Sequence, residues 1–133
     1  MYDEKILTIY NSIILKHSRS PQNQSPINLI THQAIAINKF CGDEVHIFIK
    51  LGAGLVSEVS FKGTGCSISQ ASASMLMEAI EGKTVEQIKE FNAHQMLELF
   101  QAQLTPNRQK CCLLPWRVVQ TALFSSVDSK ETD

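Results

Sequence analysis

The hydrophobic pattern of this chain changes its period at the Gly-Thr-Gly turn of residues 63–65. Before the turn, apolar side chains alternate along residues 44–50 and 55–62, as they do in strands with one buried face. After the turn, apolar side chains recur every three or four residues, which is the helical period. A run of strands followed by a run of helices indicates an α+β domain, with helices on one face of a small antiparallel sheet.

The boundaries of these elements follow from turn and capping residues. Gly82 is placed to end a helix in the left-handed conformation, and Ser67/Gln70 and Thr84/Gln87 both have capping-box spacing. We predict strands at residues 34–37, 44–50 and 55–62, a glycine turn at 52–54, a loop at 18–28, and helices at 3–17, 67–81, 84–104 and 107–123.

The length of 133 residues predicts one domain. We assign it to residues 1–124 and expect residues 125–133 to be a polar, frayed C-terminal tail. Pro115 falls inside the last predicted helix, where it cannot donate a backbone hydrogen bond to the carbonyl oxygen of Cys111. A kink is therefore expected at that position.

The net charge is −1 and the isoelectric point is near 6.4, so the chain as a whole has no positive electrostatic field that would attract a polyanion such as nucleic acid. No uncharged apolar stretch approaches the ~20 residues that cross a bilayer, and residues 2–5 lack the basic start of a signal peptide. We expect a cytoplasmic protein with no nucleic-acid or membrane partner. Because the cytosol is reducing, the cysteines point to thiolate or metal chemistry rather than to structural disulfides.

Three of the four cysteines stand at predicted turns or helix starts, namely Cys41, Cys66 and Cys111. Asp43 follows Cys41 by two residues and can reach the same point. Three sulfurs and one carboxylate oxygen suit tetrahedral zinc or an iron–sulfur cluster better than magnesium or calcium. The alternative for any single cysteine is a small buried hydrophobic residue, and Cys112 is the best candidate for that role.

Other polar residues are assigned more modest roles. Lys110 and Arg108 are supporting residues, because their positive charge favours a thiolate at Cys111. A small-residue helix face indicates close packing on the sheet, and it consists of Ser69, Ser72 and Ser74 with Ala71 and Ala73. The four histidines are expected to be solvated or core residues rather than ligands, and they are His17, His32, His46 and His94.

Three motifs carry a resemblance to a known family: Cys-Gly-Asp at 41–43, Gly-Thr-Gly-Cys-Ser-Ile-Ser-Gln-Ala-Ser-Ala-Ser at 63–74, and Pro-Asn-Arg-Gln-Lys-Cys at 106–111. Together they resemble the U-type iron–sulfur cluster assembly proteins, most closely the SufU branch. Ser-Pro-Gln-Asn at 20–23 resembles the opening loop of that family, and the similarity runs from about residue 5 to residue 123.

The resemblance implies a three-stranded antiparallel sheet with helices packed on it, and a site of Cys41, Asp43, Cys66 and Cys111. In the SufU branch this site holds zinc and accepts persulfide sulfur from a PLP-dependent cysteine desulfurase of the SufS kind. We expect Cys111 to be the acceptor and the sulfur to pass to downstream iron–sulfur assembly or acceptor proteins. In the IscU branch the same residues hold iron or a transient [2Fe–2S] cluster as a non-enzymatic scaffold.

The residues that separate the two branches point in different directions. Lys110 stands where IscU proteins have a histidine, which favours SufU. Cys111 follows Cys66 by 45 positions, without the longer insert usual in SufU proteins, which is closer to IscU. A zinc-dependent sulfurtransferase or sulfur carrier is our leading hypothesis, a cluster scaffold the second, and a purely structural zinc module the third.

Overall fold

The computed structural model describes residues 17, 24–39, 42–100, 103–125 and 130–132, the last three in their backbone only. Three consecutive strands pair antiparallel: β1 at His32–Asn38, β2 at Asp43–Gly52 and β3 at Leu55–Thr64. This confirms the predicted three-stranded antiparallel sheet. The strands are longer than predicted because residues outside the alternating pattern, such as Gln33 and Thr64, also pair through the backbone.

The turn between β2 and β3 is the glycine turn that the sequence predicts. Ala53 and Gly54 both have positive φ, at 55° and 81°. Two consecutive residues of this kind give the tight reversal that matches the twist of antiparallel strands. An irregularity in the pairing between Lys50 and Leu51 precedes the turn.

The expectation of a frayed tail is wrong for Lys130–Thr132. These residues form a short strand, β4, that pairs parallel to β1 and gives the strand order β3-β2-β1-β4. If β1 paired with β2 alone, its other edge would present a row of unpaired backbone N–H and C=O groups. The β4 strand pairs with this edge of β1. Its three polar residues carry no hydrophobic alternation, so the sequence pattern does not reveal it.

Two of the predicted helices are confirmed, and one predicted helix is in fact two. The helices in the described residues are α1 at Ser67–Ile80, α2 at Val85–Glu90, α3 at Ala93–Phe100 and α4 at Pro106–Phe124. The predicted helix at 84–104 is interrupted after α2. There the side chain and backbone of Asn92 exchange two hydrogen bonds with those of Gln95, each 2.9 Å, and these bonds cap the start of α3.

One of the two predicted capping boxes is correct. Thr84 and Gln87 form the reciprocal bonds at the start of α2. The box predicted for Ser67 and Gln70 is wrong, because Ser67 is already helical and the N-cap is Cys66, which makes no side-chain capping bond. Gly82, with a φ of +86°, follows the end of α1 as predicted.

The core lies between one face of the sheet and the helices. Alternate residues of β1 and β2 are buried, and α4 packs on both strands and on α1. The α4 helix runs from Pro106 to Phe124 with Pro115 inside it, and the expected kink there stays a prediction. Within the part of the chain that the structure describes, none of the helices combines the length and the apolar content needed to cross a bilayer.

The predicted helix at 3–17 lies outside the described residues except for its last member. His17 contacts α1, where its Nδ1 is 2.7 Å from Ser74 Oγ and its Nε2 is 3.7 Å from a carboxylate oxygen of Glu78. The predicted loop at 18–28 is described from residue 24 onward and is irregular there, as expected.

Candidate metal centre

Three elements place potential metal ligands at one end of the molecule. Asp43 is the first residue of β2, Cys66 is the N-cap of α1, and Cys111 lies in the second turn of α4. One carboxylate oxygen and the two Sγ atoms all lie within 4.8 Å of one another. Three of the four predicted ligands therefore converge, and the fourth, Cys41, lies outside the described residues.

Asp43 contributes two oxygens with different contacts. Its Oδ1 accepts a hydrogen bond of 2.8 Å from the backbone N–H of Cys66. Its Oδ2 is 3.7 Å from Cys66 Sγ. Since Asp43 is fully buried, this arrangement fixes the carboxylate against the start of α1 and directs one oxygen toward the sulfur.

Gly65 makes this contact possible. Its φ of +151° lies in a region that side chains rarely adopt, and a Cβ built on it would overlap Asp43 Oδ1. The glycine therefore lets the backbone before Cys66 approach the buried carboxylate closely. The sequence predicts a turn at Gly65 but does not identify the partner that requires it.

We expect Gly65→Ala to lower both stability and metal affinity. The methyl group must displace Asp43, and the backbone strain at such positions costs about 1–3 kcal/mol. Denaturant unfolding and competition with a chromophoric zinc chelator measure the two effects. Gly54→Ala is the matched control, because Gly54 also has a positive φ, at 81°, but a Cβ there meets nothing within 4 Å. That variant should lose stability and retain its zinc affinity, and an equal loss of zinc affinity in both variants would contradict the prediction.

The distances between donor atoms fit zinc. Tetrahedral zinc bonds sulfur at about 2.3 Å and carboxylate oxygen at about 2.1 Å, which sets those two ligand atoms about 3.6 Å apart. The separation of 3.7 Å between Cys66 Sγ and Asp43 Oδ2 is close to that value. Two sulfurs on one zinc lie about 3.8 Å apart, and no pair among the three ligand atoms exceeds 4.8 Å.

Electrostatics at this end of the molecule favour negative ligands. The N-termini of α1 and α4 both lie here, and the N-terminus of a helix carries partial positive charge. Arg108 and Lys110, which the sequence analysis names as supporting residues, lie exposed in the first two turns of α4. They add positive charge beside Cys111 without being buried themselves.

Cys112 belongs to the hydrophobic core, as the sequence predicts. It is fully buried among apolar residues, and it is not part of the converging set. Burial raises the pKa of the Cys112 thiol from 9.0 to about 12. Both members of the Cys111–Cys112 pair are buried, but only Cys111 belongs to the converging set.

The raised pKa of Cys112 predicts a loss of stability at alkaline pH. The unfolded chain loses this proton above about pH 9 while the folded chain keeps it to about pH 12, so the contribution to stability is full below pH 9 and falls as the pH rises. Between about pH 8 and about pH 10.5, the metal-free wild-type chain should lose about 2 kcal/mol more than Cys112→Ser. Denaturant unfolding in the presence of a chelator measures this, and equal losses would contradict the burial of the thiol.

The histidines stand apart from the ligand cluster, as expected. His46 lies on β2 and bonds to Gln33 at 3.0 Å. Partial burial lowers its pKa, and the positive charge of Lys62 lowers it further. His94 lies 3.5 Å from Glu98 on an exposed face of α3.

One contact of this centre is not apparent from the sequence. Ser69, which is predicted to serve only in packing, places its hydroxyl oxygen 3.1 Å from the carbonyl oxygen of Cys66 and 3.9 Å from Cys66 Sγ. The sequence spacing could have indicated that Ser69 lies near Cys66, because a residue three positions after an N-cap lies about one helical turn from it. The sequence alone does not show that the hydroxyl faces the sulfur.

Comparisons with known proteins identify relatives of this chain. The pattern of the NifU-like N terminal domain family matches residues 9–131. The zinc-dependent sulfurtransferase SufU of Bacillus subtilis is 31% identical over an alignment of 139 positions that covers 90% of this chain and 92% of that protein. The iron-sulfur cluster assembly scaffold protein IscU of Thermotoga maritima is 30% identical over an alignment of 131 positions that covers 86% of this chain and 92% of that protein.

A solved structure shows the same fold. The crystal structure of a SUF-system iron-sulfur cluster assembly scaffold protein from Fervidobacterium islandicum superposes with a TM-score of 0.72 at 30% identity, covering 87% of this chain and 97% of that one. The relative named as a sulfurtransferase and the relatives named as scaffolds have almost the same sequence identity to this chain. Sequence identity therefore does not choose between sulfur transfer and scaffolding.

Proposed function

Because this chain belongs to the NifU-like N-terminal domain family, we propose that it relays sulfur for iron–sulfur cluster biogenesis. The observation that carries the proposal is the convergence of Asp43, Cys66 and Cys111 at the N-termini of two helices. In this proposal zinc is held by these three residues and Cys41. The similarity to the zinc-dependent sulfurtransferase of Bacillus subtilis supports it.

The proposed donor of sulfur is a PLP-dependent cysteine desulfurase, and Cys111 is the proposed acceptor. Bound zinc would keep its cysteine ligands deprotonated at neutral pH. Cys66 is held through its N–H by Asp43 and through its carbonyl oxygen by Ser69. It is therefore suited to stay in place. Cys111 lies on another element, next to the positive charges of Lys110 and Arg108, which would favour its thiolate form.

The transfer step itself needs no oxidant. The Cys111 thiolate attacks the outer sulfur of the persulfide on the desulfurase cysteine. The S–S bond of that persulfide breaks, and its electron pair leaves with the desulfurase cysteine as a thiolate. A new S–S bond then joins the transferred sulfur to Cys111, and downstream assembly proteins would remove it by the same exchange.

Cys111 must be uncovered for this reaction. It is only 4% exposed, whereas Cys66 is partly exposed. An attacking thiolate needs access to the persulfide sulfur, so docking of the desulfurase has to open the start of α4. The exposed residues Thr105, Pro106 and Asn107, just before Cys111, offer a surface through which a partner can act.

A second candidate function is a scaffold on which a [2Fe–2S] cluster is assembled. It is favoured by the match to the Thermotoga maritima relative, whose name describes a scaffold. The same thiolates and carboxylate can bind iron, so the donor set permits both functions. The two candidates differ in what accumulates on the protein, a persulfide or a cluster.

A purely structural zinc module is the third candidate, and the core argues against it. The buried apolar cluster extends from β1 to the end of α4 and includes large, fully buried side chains such as Phe61 and Phe100. A core of this extent should hold the fold without metal, unlike the core of a zinc finger.

Anaerobic incubation with a desulfurase, cysteine and iron separates the first two candidates. Sulfur relay predicts that the protein retains zinc and accelerates desulfurase turnover. Scaffolding predicts loss of zinc and a stoichiometric, transferable cluster seen in the absorption spectrum. Metal analysis of the same samples completes the test, and a stable cluster without any rise in turnover would overturn the relay.

A further inference from the structure

Ser69 lies in the first turn of α1 and is completely buried. Its hydroxyl donates to the carbonyl oxygen of Cys66 at 3.1 Å, and its oxygen is 3.9 Å from Cys66 Sγ. Close packing of a helix on its neighbours requires a small side chain but not a hydroxyl. Burying a hydroxyl is costly unless it is hydrogen-bonded, so the role of this group has to follow from its contacts.

The contacts of Cys66 change direction when it becomes a ligand. As a thiol, its S–H faces two acceptors, Asp43 Oδ2 at 3.7 Å and Ser69 Oγ at 3.9 Å. As a metal-bound thiolate it has no proton and can only accept. An ionised carboxylate cannot donate, whereas a hydroxyl can. Of these two neighbours, Ser69 is therefore the one able to bond to the thiolate.

Turning the Ser69 hydroxyl toward the sulfur leaves the carbonyl of Cys66 satisfied. That oxygen also accepts the backbone N–H of Gln70 at 3.1 Å. The space beside the hydroxyl is open because residue 65 is glycine, and a Cβ there would lie 2.9 Å from Ser69 Oγ. A bond to a charged acceptor is stronger than one to a neutral carbonyl, which favours the rotated hydroxyl.

We propose that Ser69 is a positioning residue for Cys66, and that its buried hydroxyl donates to the Cys66 sulfur when that sulfur binds metal. The proposal rests on the metal site of the proposed function. Hydrogen bonds from groups behind a ligand orient it and tune its charge. The bond makes the Cys66 sulfur a weaker nucleophile, and its fixed direction orients the sulfur toward the metal while Cys111 reacts.

The test compares Ser69→Ala with Ser72→Ala. Ser72 is equally buried on the same helix, and its hydroxyl makes the same kind of bond, 3.2 Å to the carbonyl oxygen of Ser69. Each chain is loaded with cobalt(II), whose sulfur-to-metal charge-transfer band reports the charge on the sulfur. Ser69→Ala should move this band to longer wavelength and weaken zinc binding by about tenfold in chelator competition. Ser72→Ala should change neither.

Ser69→Thr restores a hydroxyl and should recover the wild-type band, and helical circular dichroism confirms that each variant is folded. Ser69→Ala should fold, because Gln70 still bonds to the Cys66 carbonyl. Identical cobalt spectra and zinc affinities in the two alanine variants would overturn the role of Ser69 alone. A wild-type chain that binds neither zinc nor cobalt would overturn the metal site and this inference together.

Discussion

The Cys66→Ser chain should purify with almost no zinc. A serine hydroxyl remains protonated at neutral pH and does not replace a thiolate as a zinc ligand. Removing a ligand should cost more than removing a group behind it, so we expect a loss of zinc affinity greater than about 100-fold. Metal analysis of the purified chain and chelator competition measure the two quantities.

The Cys66→Ser variant removes the sulfur ligand and keeps the other contacts of residue 66. The backbone N–H of residue 66 still donates to Asp43, and serine is a good N-cap for α1, so the local structure should persist. Cys112→Ser is the control, because Cys112 lies in the core and outside the ligand cluster. Equal zinc loss in the Cys112 variant would show that the wrong member of the Cys111–Cys112 pair has been assigned to the metal.

Cys111→Ser should abolish persulfide formation while leaving the desulfurase able to bind. A hydroxyl is a far weaker nucleophile than a thiolate at neutral pH, and the adjacent thiol, Cys112, is buried in the core outside the ligand cluster. The measurement is the intact mass of the chain after incubation with desulfurase and cysteine, with binding followed separately by titration. The expected result is no added sulfur at unchanged affinity.

Two variants control for indirect effects on this reaction. Lys110→Ala should slow the transfer only modestly, since its charge is one of several influences on the Cys111 thiolate. Asp43→Asn keeps an oxygen able to accept from the Cys66 N–H but weakens the metal ligand, so it should alter zinc retention and leave the acceptor in place. A Cys111→Ser chain that still gains sulfur at the wild-type rate would contradict the assignment of the acceptor.

Local patterns were sufficient to predict most of the fold. The change of hydrophobic period at residues 63–65 separates the strands from the helices. Gly54, in the predicted turn, and Gly82, at the predicted helix end, both have positive φ. The capping box of Thr84 was predicted correctly because its partners are three residues apart. The division of the helix at Asn92 was missed, although Asn92 and Gln95 have the same spacing.

The candidate site was predictable only in its residue types. Cysteines at turns and a nearby aspartate indicate a metal site, but the distances among Asp43, Cys66 and Cys111 depend on how β2, α1 and α4 pack. The approach of Gly65 to Asp43 joins residues far apart in the chain and follows from tertiary structure. The contact of Cys66 with Ser69 joins residues three positions apart, but this spacing does not show which way the hydroxyl points.

The most direct test of sulfur relay is to locate the transferred sulfur on the wild-type chain. Trypsin cleaves after Lys110 and Arg117, so Cys111 and Cys112 share one seven-residue peptide, CCLLPWR. Repeating the experiment on Cys112→Ser leaves Cys111 as the single thiol of that peptide. After incubation with desulfurase and cysteine, our account predicts one added sulfur atom on Cys111 in both chains. Sulfur found on Cys66 or Cys112 with Cys111 unmodified, or on no cysteine while a cluster still assembles, would contradict it.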